Sequence, residues 1–537
     1  MAAIDTSVVV IGAGMSGLAF GVQIQRWYGI RNFEIYEQSH PTSSSAGASG
    51  TWYINQYPAA GVDVPSAFYS FSFHQNPNWS RKFCMRDEIQ DYLNGMSKEY
   101  GLREKLTFGV HCKGADWDEE AHVWRVLLQR IDTKETFVRV CRVFVTAVGG
   151  LGIPRECDIP GSERFRGALF HSAKWDHGVQ LAGKDVIVVG NGCSATQFVP
   201  ELVKVSKRVV QFARQPHWVE ERKNPERSSW FRWTMKHVPF ALQLVRLYYY
   251  ADMEKDFLMF HTKGGKQRRD TLRAELLEYV DQAAPPKYRD LLIPDFEIGC
   301  KRRVFDTFYF DCLWRENMEL TNDTIVEIVE DGVRTASGRR VRADAIVLAT
   351  GFAAQKFLVP MEIRGRHGIS LNEHWRKQGG PQAYLGTCFA NFPNLYTIFG
   401  LNTATGHLSV LYTTECQVNL ALRSIKPLLY NDATSIEVKQ EAETADNKWI
   451  QSRLKNYVWS TGCSSWYLDS ETGRNEILYP HFQWHYWLRT VFLSSRHFVT
   501  TYTAKGRAKL WTRRILRVVL ILFLTFAARQ TYKRRRG

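Results

Sequence analysis

The stretch SVVVIGAGMSG, residues 7–17, decides the fold class of this chain. Its apolar, β-branched run predicts a buried strand, and Gly12-x-Gly14-x-x-Gly17 predicts a tight turn into the helix that follows. Gly12 allows the turn, Gly14 leaves room for a pyrophosphate, and Gly17 permits close helix–strand packing. The free N–H groups at the helix start, around Ser16, are suited to phosphates. The stretch therefore predicts a Rossmann-like dinucleotide site.

The next strand, FEIYE, ends in Glu37, twenty residues after Gly17. An acidic side chain at this position accepts hydrogen bonds from a ribose hydroxyl. Strand, turn, helix and acid together favour a nucleotide site over the alternative, a glycine turn that binds no ligand.

The same pattern recurs in DVIVVGNGCSATQF, residues 185–198. Here the small residues are Gly190-x-Gly192-x-x-Ala195, and Ser194 and Thr196 lie at the start of the predicted helix. The strand that follows, RVVQFARQP, ends not in an acid but in Arg214, followed by Gln215. Because arginine pairs with a 2′-phosphate that an acid would repel, this second site favours NADP over NAD. The alternative is that Arg214 only faces solvent.

Two more apolar strands end in small-residue turns, within residues 141–150 and 344–352. We expect both to return to the mononucleotide held by the first turn. Two nucleotide sites on one chain imply electron transfer between two cofactors, and the first is most naturally FAD.

The bulk composition limits the remaining possibilities. A chain of 537 residues with 45% hydrophobic content predicts two or three globular domains. Of the 16 excess positive charges, 11 lie after residue 504, so the charge belongs to a tail and indicates no nucleic-acid surface. The ten cysteines show no C-x-x-C pair and no metal-ligand spacing. With no signal peptide evident at the amino terminus, we expect free thiols, no metal and an intracellular location.

Two longer patterns lie around these turns. One is Phe165-x-Gly167-x₃-His171-x₃-Trp175-Asp176, and the other is SGTWYINQYPAAGVD, residues 49–63. With both patterns, the chain resembles the Baeyer–Villiger monooxygenases from about residue 5 to about residue 490. The resemblance implies an enzyme that uses FAD, NADPH and O₂ to convert a hydrophobic ketone to an ester or lactone, and we expect a role in secondary metabolism.

The resemblance also implies a set of site residues. It places Gly50, Thr51, Trp52, Tyr53, Asp63 and Tyr69 around the flavin. From the segment IGCKRRVFDTFYF, residues 298–310, it assigns Lys301 to the NADP phosphate and Arg302 to the flavin face, with Arg303 as the alternative if the register shifts by one. A fixed guanidinium suits this reaction because it stabilises the negative charge that develops during oxygen transfer. Asp63 is expected to orient Arg302.

These residues also have a second interpretation, in which they do not form a cofactor site. A KRR triplet is commonly a solvated charge run, and Asp63 is otherwise a turn carboxylate. We interpret residues 165–176 as a connector between the two nucleotide-binding halves, with Gly167 as a hinge and His171 and Trp175 as conformational contacts. The alternative is a packed connector with a satisfied histidine.

The predicted architecture is α/β, with two Rossmann-like dinucleotide-binding domains, for FAD and NADP, each built from separated segments. The FAD domain takes residues 1–150 and 344–504, and the NADP domain takes 151–216 and 296–343. Residues 217–295 predict an inserted helical subdomain, and 505–537 a basic, apolar tail.

The tail contains eleven uncharged residues, 518–528, which is short for a bilayer span of about 20 residues. We expect residues 510–537 to contact a membrane surface through apolar and basic side chains, and the alternative is a helix packed on the enzyme.

Three other functions stay open at this point. The first is an N- or S-oxygenating flavin monooxygenase, the second a flavin reductase with a redox disulfide, and the third a cofactor-binding scaffold without catalysis. The oligomeric state is not predicted.

Overall fold

The computed structural model describes residues 4–40 and 48–536. Its larger sheet has eight strands, and residues 6–11 of the opening stretch lie near its centre, between parallel neighbours on both sides. All but one residue of this strand is buried, as expected for a parallel strand covered on both faces. In spatial order the strands are Glu362–Arg364, Val110–Asp118, Val123–Arg130, Thr136–Thr146, Thr6–Ile11, Phe33–Tyr36 and Leu106–Thr107, with Leu395–Thr397 also paired to Thr136–Thr146.

Helices from both ends of the chain pack on this sheet. The helix after the first glycine turn is Met15–Tyr28, and it lies against the long helix Val410–Leu429. The others in this part of the chain are Thr51–Ile54, Arg86–Glu99, Leu371–Lys377, Gln440–Leu454 and Gln483–Val491, and a short antiparallel pair joins Ala433–Val438 to Phe498–Tyr502.

The second sheet has five strands, all parallel. In spatial order they are Met318–Thr321, Arg208–Phe212, Asp185–Val189, Ala345–Leu348 and Ala168–His171. The helices Cys193–Val205 and Tyr309–Leu313 pack on it, and an antiparallel unit of Ile325–Val329, Gly332–Thr335 and Arg340–Arg342 follows. A mixed eight-stranded sheet and a parallel five-stranded sheet, each with a glycine turn and helices packed on it, confirm the predicted α/β fold class.

The strand at residues 345–348 corrects one expectation. We assign it from the sequence to the FAD domain, but the strand pairs with Asp185–Val189 and Ala168–His171 in the second sheet, and only the segment after it, 353–361, lines the cleft beside the first glycine turn. Its end therefore lies against the second glycine turn. Parallel strands that end in small residues look alike in sequence whichever sheet they join.

The insertion after the second site is mainly helical. Its helices are Ser229–His237, Ala241–Glu254, Phe257–Phe260, Lys266–Ala283 and Arg289–Leu292, and the short strand Val219–Glu221 pairs with Val304–Asp306. The chain ends in one long helix, Ala504–Arg536.

Candidate functional site: two glycine turns and an arginine–aspartate pair

The first glycine turn forms a backbone cradle that only glycine fits. Gly12 has φ of +105°, and a Cβ there would lie 2.5 Å from the carbonyl oxygen of Ala147. A Cβ on Gly50 would lie 2.8 Å from the Cα of Gly14. Gly17 faces inward instead, where a Cβ would meet the Gly12 carbonyl oxygen, so it serves helix packing.

Glu37 closes the turn from the neighbouring strand. Its carboxylate accepts hydrogen bonds from the backbone N–H groups of Ala13, at 2.8 Å, and Ser39, at 2.9 Å. These bonds fix the side chain at the edge of the cleft, and the carboxylate keeps lone pairs for a ribose hydroxyl.

A cleft opens beside this turn, and most of the predicted flavin residues line it. They are Gly12, Gly14, Ser16, Glu37, Gly50, Thr51, Trp52 and Tyr69. Trp52 donates its Nε1–H to the Tyr69 hydroxyl at 3.2 Å, and the two rings meet edge to face. Burial raises the pKa of Tyr69 well above its usual value, so its hydroxyl stays protonated. The cleft thus has aromatic side chains along its sides, glycines along its base and a carboxylate at one end. These features fit a flavin dinucleotide.

Tyr53 lies elsewhere. Its hydroxyl donates to the backbone carbonyl of His40 at 2.6 Å, and it does not line the cleft. The cleft is also lined by three distant segments that the sequence did not indicate, 110–112, 353–361 and 410–414, which include Lys356 and Thr414. No motif marks them, because their position depends on the sheet order.

The second glycine turn repeats the first. Gly190 has φ of +111°, and a Cβ there would lie 2.4 Å from the carbonyl oxygen of Ala349. At Gly192 an added Cβ would meet no atom within 4 Å, so this residue borders open space at the start of the helix Cys193–Val205. Ala195 and Thr196 are buried behind the turn and serve packing, whereas Ser194, in the first turn of the helix, is only partly buried.

Cationic side chains gather beside the second turn. Lys301 Nζ donates to Gln215 Oε1 at 2.5 Å, and Asn191 Nδ2 donates to the Gln215 carbonyl at 2.8 Å. Burial and the like charge of Arg214 lower the pKa of Lys301, which places the two cations near each other. Two cations with an amide between them suit a phosphate monoester.

Asp63 and Arg302 form an ion pair. Arg302 Nε donates to Asp63 Oδ2 at 2.6 Å, and a second guanidinium nitrogen lies equally close to the same oxygen. Burial favours the neutral forms, but the mutual attraction outweighs it: the pKa of Asp63 falls below its usual value and that of Arg302 rises. Both groups therefore stay charged at neutral pH.

This ion pair lies where the two nucleotide sites meet. Asp63 ends the segment whose Gly50–Trp52 part lines the first cleft, and Arg302 directly follows Lys301 of the second site. Gln197, on the helix of the second turn, donates to the carbonyl of Gly61 at 3.1 Å and so joins the two segments. The sequence analysis did not single out Gln197.

Arg303 has a different role from Arg302. Its guanidinium pairs with Glu220 at 2.6 Å and Asp256 at 2.9 Å, both in the helical insertion. The structure thus places Arg302, not Arg303, beside Asp63.

The connector at residues 165–176 takes part in the second sheet, and its role as a hinge stays a prediction. Residues 168–171 form the edge strand of the second sheet, and a Cβ on Gly167 would lie 2.3 Å from the carbonyl oxygen of Asp344. Gly167 is therefore required by close packing, and its backbone φ lies outside the left-handed region. His171 is buried, and its Nδ1 accepts from the Ala173 N–H at 3.0 Å.

The cysteines correct another expectation. Cys300 and Cys463 form a disulfide, with Cα atoms 6.3 Å apart, so the thiols are not all free. The two residues are 163 positions apart, and such a pairing is not readable from spacing. Among the described residues no cluster of three or more His, Cys, Asp or Glu side chains is arranged to hold a metal ion.

The terminal helix is exposed along its apolar stretch. Between Ile515 and Phe526 the large apolar side chains are all more than half exposed. Near its start the helix is tied to the body by Lys509, which pairs with Asp432 at 2.7 Å. Over residues 4–40 and 48–536, we find no helix with the length and apolar character that a bilayer crossing requires.

Comparisons with known proteins follow this geometry. Residues 62–239 match the flavin-binding monooxygenase-like family. The chain is 34% identical over 503 residues to a Baeyer–Villiger monooxygenase of Pseudomonas aeruginosa, covering 93% of both proteins. It is 31% identical over 533 residues to the FAD-binding monooxygenase tazF of Aspergillus terreus, covering 93% of this chain and 90% of that one.

A solved structure, oxidized steroid monooxygenase bound to NADP, covers 93% of this chain and all of its own, with a TM-score of 0.79 and 27% identity. These similarities place the chain among the flavin-dependent monooxygenases. Within that class it belongs to the Baeyer–Villiger monooxygenase family.

Proposed function

We propose that this chain binds FAD and NADPH and inserts one oxygen atom from O₂ beside the carbonyl of a hydrophobic ketone, giving an ester or lactone. The observation that carries the proposal is the ion pair of Arg302 and Asp63, which joins the segments of the two nucleotide sites. Its support is the similarity to Baeyer–Villiger monooxygenases over 93% of the chain.

The residues divide between the two cofactors. We assign FAD to the cleft bordered by Gly12, Gly14, Glu37 and Trp52, and NADPH to the second turn with Arg214, Gln215 and Lys301. When bound, these cofactors supply hydride and the activation of O₂. The domain boundaries given above stay predictions, except that residues 345–348 are assigned to the NADPH half.

In this reaction Arg302 acts through its positive charge. Its guanidinium stays protonated beside Asp63 and stabilises the negative charge that develops on oxygen when the carbonyl carbon is attacked. Asp63, ionised and acceptor-only, fixes the plane of the guanidinium and is not a proton donor. A fixed cation favours an anionic, nucleophilic oxygen donor, as a ketone requires, over the neutral, electrophilic donor that amines and sulfides require.

The experiment compares substrates on the purified holoenzyme. With NADPH and O₂, we expect esters or lactones from cyclic and aryl ketones and little oxidation of matched amines and sulfides. Exclusive N- or S-oxide formation would favour the second candidate, an N- or S-oxygenating monooxygenase. A protein that purifies without flavin would contradict both.

We also propose that the terminal helix Ala504–Arg536 rests on an anionic membrane surface. Its support is the exposed apolar stretch at residues 518–526, preceded by Arg513, Arg514 and Arg517. Because no described helix is suited to crossing a bilayer, the contact we propose is interfacial. An intracellular location and a role in secondary metabolism stay predictions.

A further inference from the structure

We propose that Cys300 and Cys463 are a redox-active pair whose disulfide holds Tyr467 beside Arg302, so that reduction of the disulfide loosens the oxygenation site. The inference rests on the proposed function, because Arg302 is the cation assigned to oxygen transfer. It adds a modification site to that function.

The disulfide joins two segments that no helix or strand holds together. Cys300 directly precedes Lys301 and Arg302, in an irregular stretch that ends at the strand Val304–Asp306. Cys463 lies four residues before Tyr467, in an irregular loop of the carboxyl-terminal part of the chain. The bond therefore connects the phosphate-binding and charge-stabilising cations directly to that loop.

Tyr467 is the residue that this connection positions. Its side chain is only 2% exposed and packs in one buried apolar cluster with Ile298, which lies two residues before Cys300. Burial raises the pKa of this hydroxyl above its usual value, so it stays a neutral donor next to the ion pair. The Tyr467 backbone N–H donates to Ser465 Oγ at 3.3 Å, and Gln355 Nε2 donates to the carbonyls of the two neighbouring residues, Trp466 at 2.5 Å and Leu468 at 3.0 Å.

The two sulfur atoms differ in access. Cys300 is fully buried, and its sulfur accepts a hydrogen bond from the Thr461 hydroxyl at 3.7 Å, whereas Cys463 is only partly buried. A thiolate from solvent therefore attacks Cys463, and Cys300 leaves as a thiolate. A second thiol then releases Cys463, so one disulfide becomes two thiols and the reductant becomes a disulfide.

The reverse step uses a peroxide as oxidant. One molecule of hydrogen peroxide accepts two electrons and two protons from the Cys300 and Cys463 thiols, giving the disulfide and two molecules of water. Hydrogen peroxide also forms when a flavin monooxygenase consumes NADPH and O₂ without oxygenating a substrate. Hydrogen peroxide released in such unproductive turnover would then re-form the Cys300–Cys463 disulfide and restore the position of Tyr467 beside Arg302.

The experiment measures coupling in both redox states. The holoenzyme is purified without reductant, and its cysteines are alkylated with or without dithiothreitol before intact-mass analysis. Ester formed and hydrogen peroxide released are then measured per NADPH oxidised. We expect a disulfide in the untreated enzyme, and after dithiothreitol a severalfold rise in the share of NADPH that ends as hydrogen peroxide.

Three cysteine variants test whether the change in coupling depends on this disulfide. Cys463→Ser should behave like the reduced enzyme and should not respond to dithiothreitol, and Cys300→Ser should agree with it if it folds. Cys157→Ser, which removes a partly buried free thiol elsewhere, should keep the wild-type response.

Several outcomes would overturn the inference. One is alkylation of both cysteines without reductant, and another is equal coupling in the two redox states. A third is reduction of the disulfide by NADPH alone without oxygen, which would make the pair an electron carrier. If no ketone gives an ester in either state, the proposed function fails, and the hydrogen peroxide yield and intact mass still decide the role of the disulfide.

Discussion

At the scale of single residues, the decisive feature is one guanidinium held by one carboxylate. Arg302 and Asp63 are 239 positions apart in sequence, and each lies next to a segment that belongs to a different nucleotide site. A resemblance to known enzymes indicated both residues. Only the structure shows that Arg302 contacts Asp63 and that Arg303 pairs instead with Glu220 and Asp256.

The first prediction concerns this cation. We expect Arg302→Ala to lower ester formation about 100- to 1,000-fold, because a preorganised stabiliser of negative charge is lost. Arg302→Lys should recover part of the rate, since it keeps the charge but not the planar geometry. Single-turnover rates with flavin content measured in each variant test this. A wild-type rate in Arg302→Ala with FAD retained would remove the assigned role.

A second prediction concerns the coenzyme. We expect Arg214→Ala to raise the KM for NADPH about tenfold and to leave the KM for NADH nearly unchanged, because only NADPH carries the 2′-phosphate. The matched control is Arg166→Ala, an exposed arginine paired with Glu330 at the surface. An unchanged NADPH to NADH preference in Arg214→Ala would place the phosphate elsewhere.

At the scale of elements, the sequence predicted both strand–turn–helix units, because Gly12 and Gly190 adopt a positive φ that favours glycine. The sequence did not predict that residues 345–348 join the second sheet, because the choice of sheet depends on neighbouring strands far along the chain. Gly50, Thr51, Trp52 and Tyr69 do line the cleft, but Tyr53 and Asp63 do not, because the Tyr53 side chain turns toward His40 and Asp63 pairs with Arg302. The disulfide and Gln197 depend on tertiary contacts that carry no local signal.

The edge strand at residues 168–171 gives an element-scale prediction. We expect Gly167→Ala to lower the free energy of unfolding by about 1–3 kcal/mol, because the new methyl would overlap the Asp344 carbonyl and push the strand from its neighbour. Gly95→Ala is the control: Gly95 lies in a helix with no atom within 4 Å of an added Cβ, and the change should stabilise by about 0.5–1 kcal/mol. Urea denaturation of both variants measures the difference. If Gly167→Ala is as stable as wild type, the packing requirement is wrong.

At the scale of the whole molecule, charge and apolar surface are unevenly distributed. The terminal helix carries most of the excess positive charge and a continuous exposed apolar stretch. The two-sheet body buries its apolar side chains in clusters around each sheet. If the terminal helix binds a membrane as proposed, this division separates catalytic turnover in the body from membrane attachment by the tail.

The whole-molecule prediction tests that separation. We expect deletion of residues 505–537 to abolish sedimentation with anionic vesicles while kcat stays within about twofold of wild type, because the body retains both nucleotide sites. Leu522→Asp, at an exposed position, should weaken vesicle binding at least about tenfold by placing a charge at the lipid boundary. Neutral vesicles serve as the control. Equal sedimentation of full-length and truncated protein would disprove the membrane contact.

In sequence, the strands of the smaller sheet lie between strands of the larger sheet, and this order has a consequence for folding during synthesis on the ribosome. The smaller sheet has all its strands once residue 348 has emerged, whereas the larger one still awaits residues 362–364 and 395–397. The smaller sheet can therefore be completed first, although six of the eight strands of the larger sheet precede residue 147 and only its last two are still missing. A nascent chain halted soon after residue 348 should already resist protease across residues 168–348, whereas the segments that pack against 362–364 and 395–397 should gain full protection only in a longer chain.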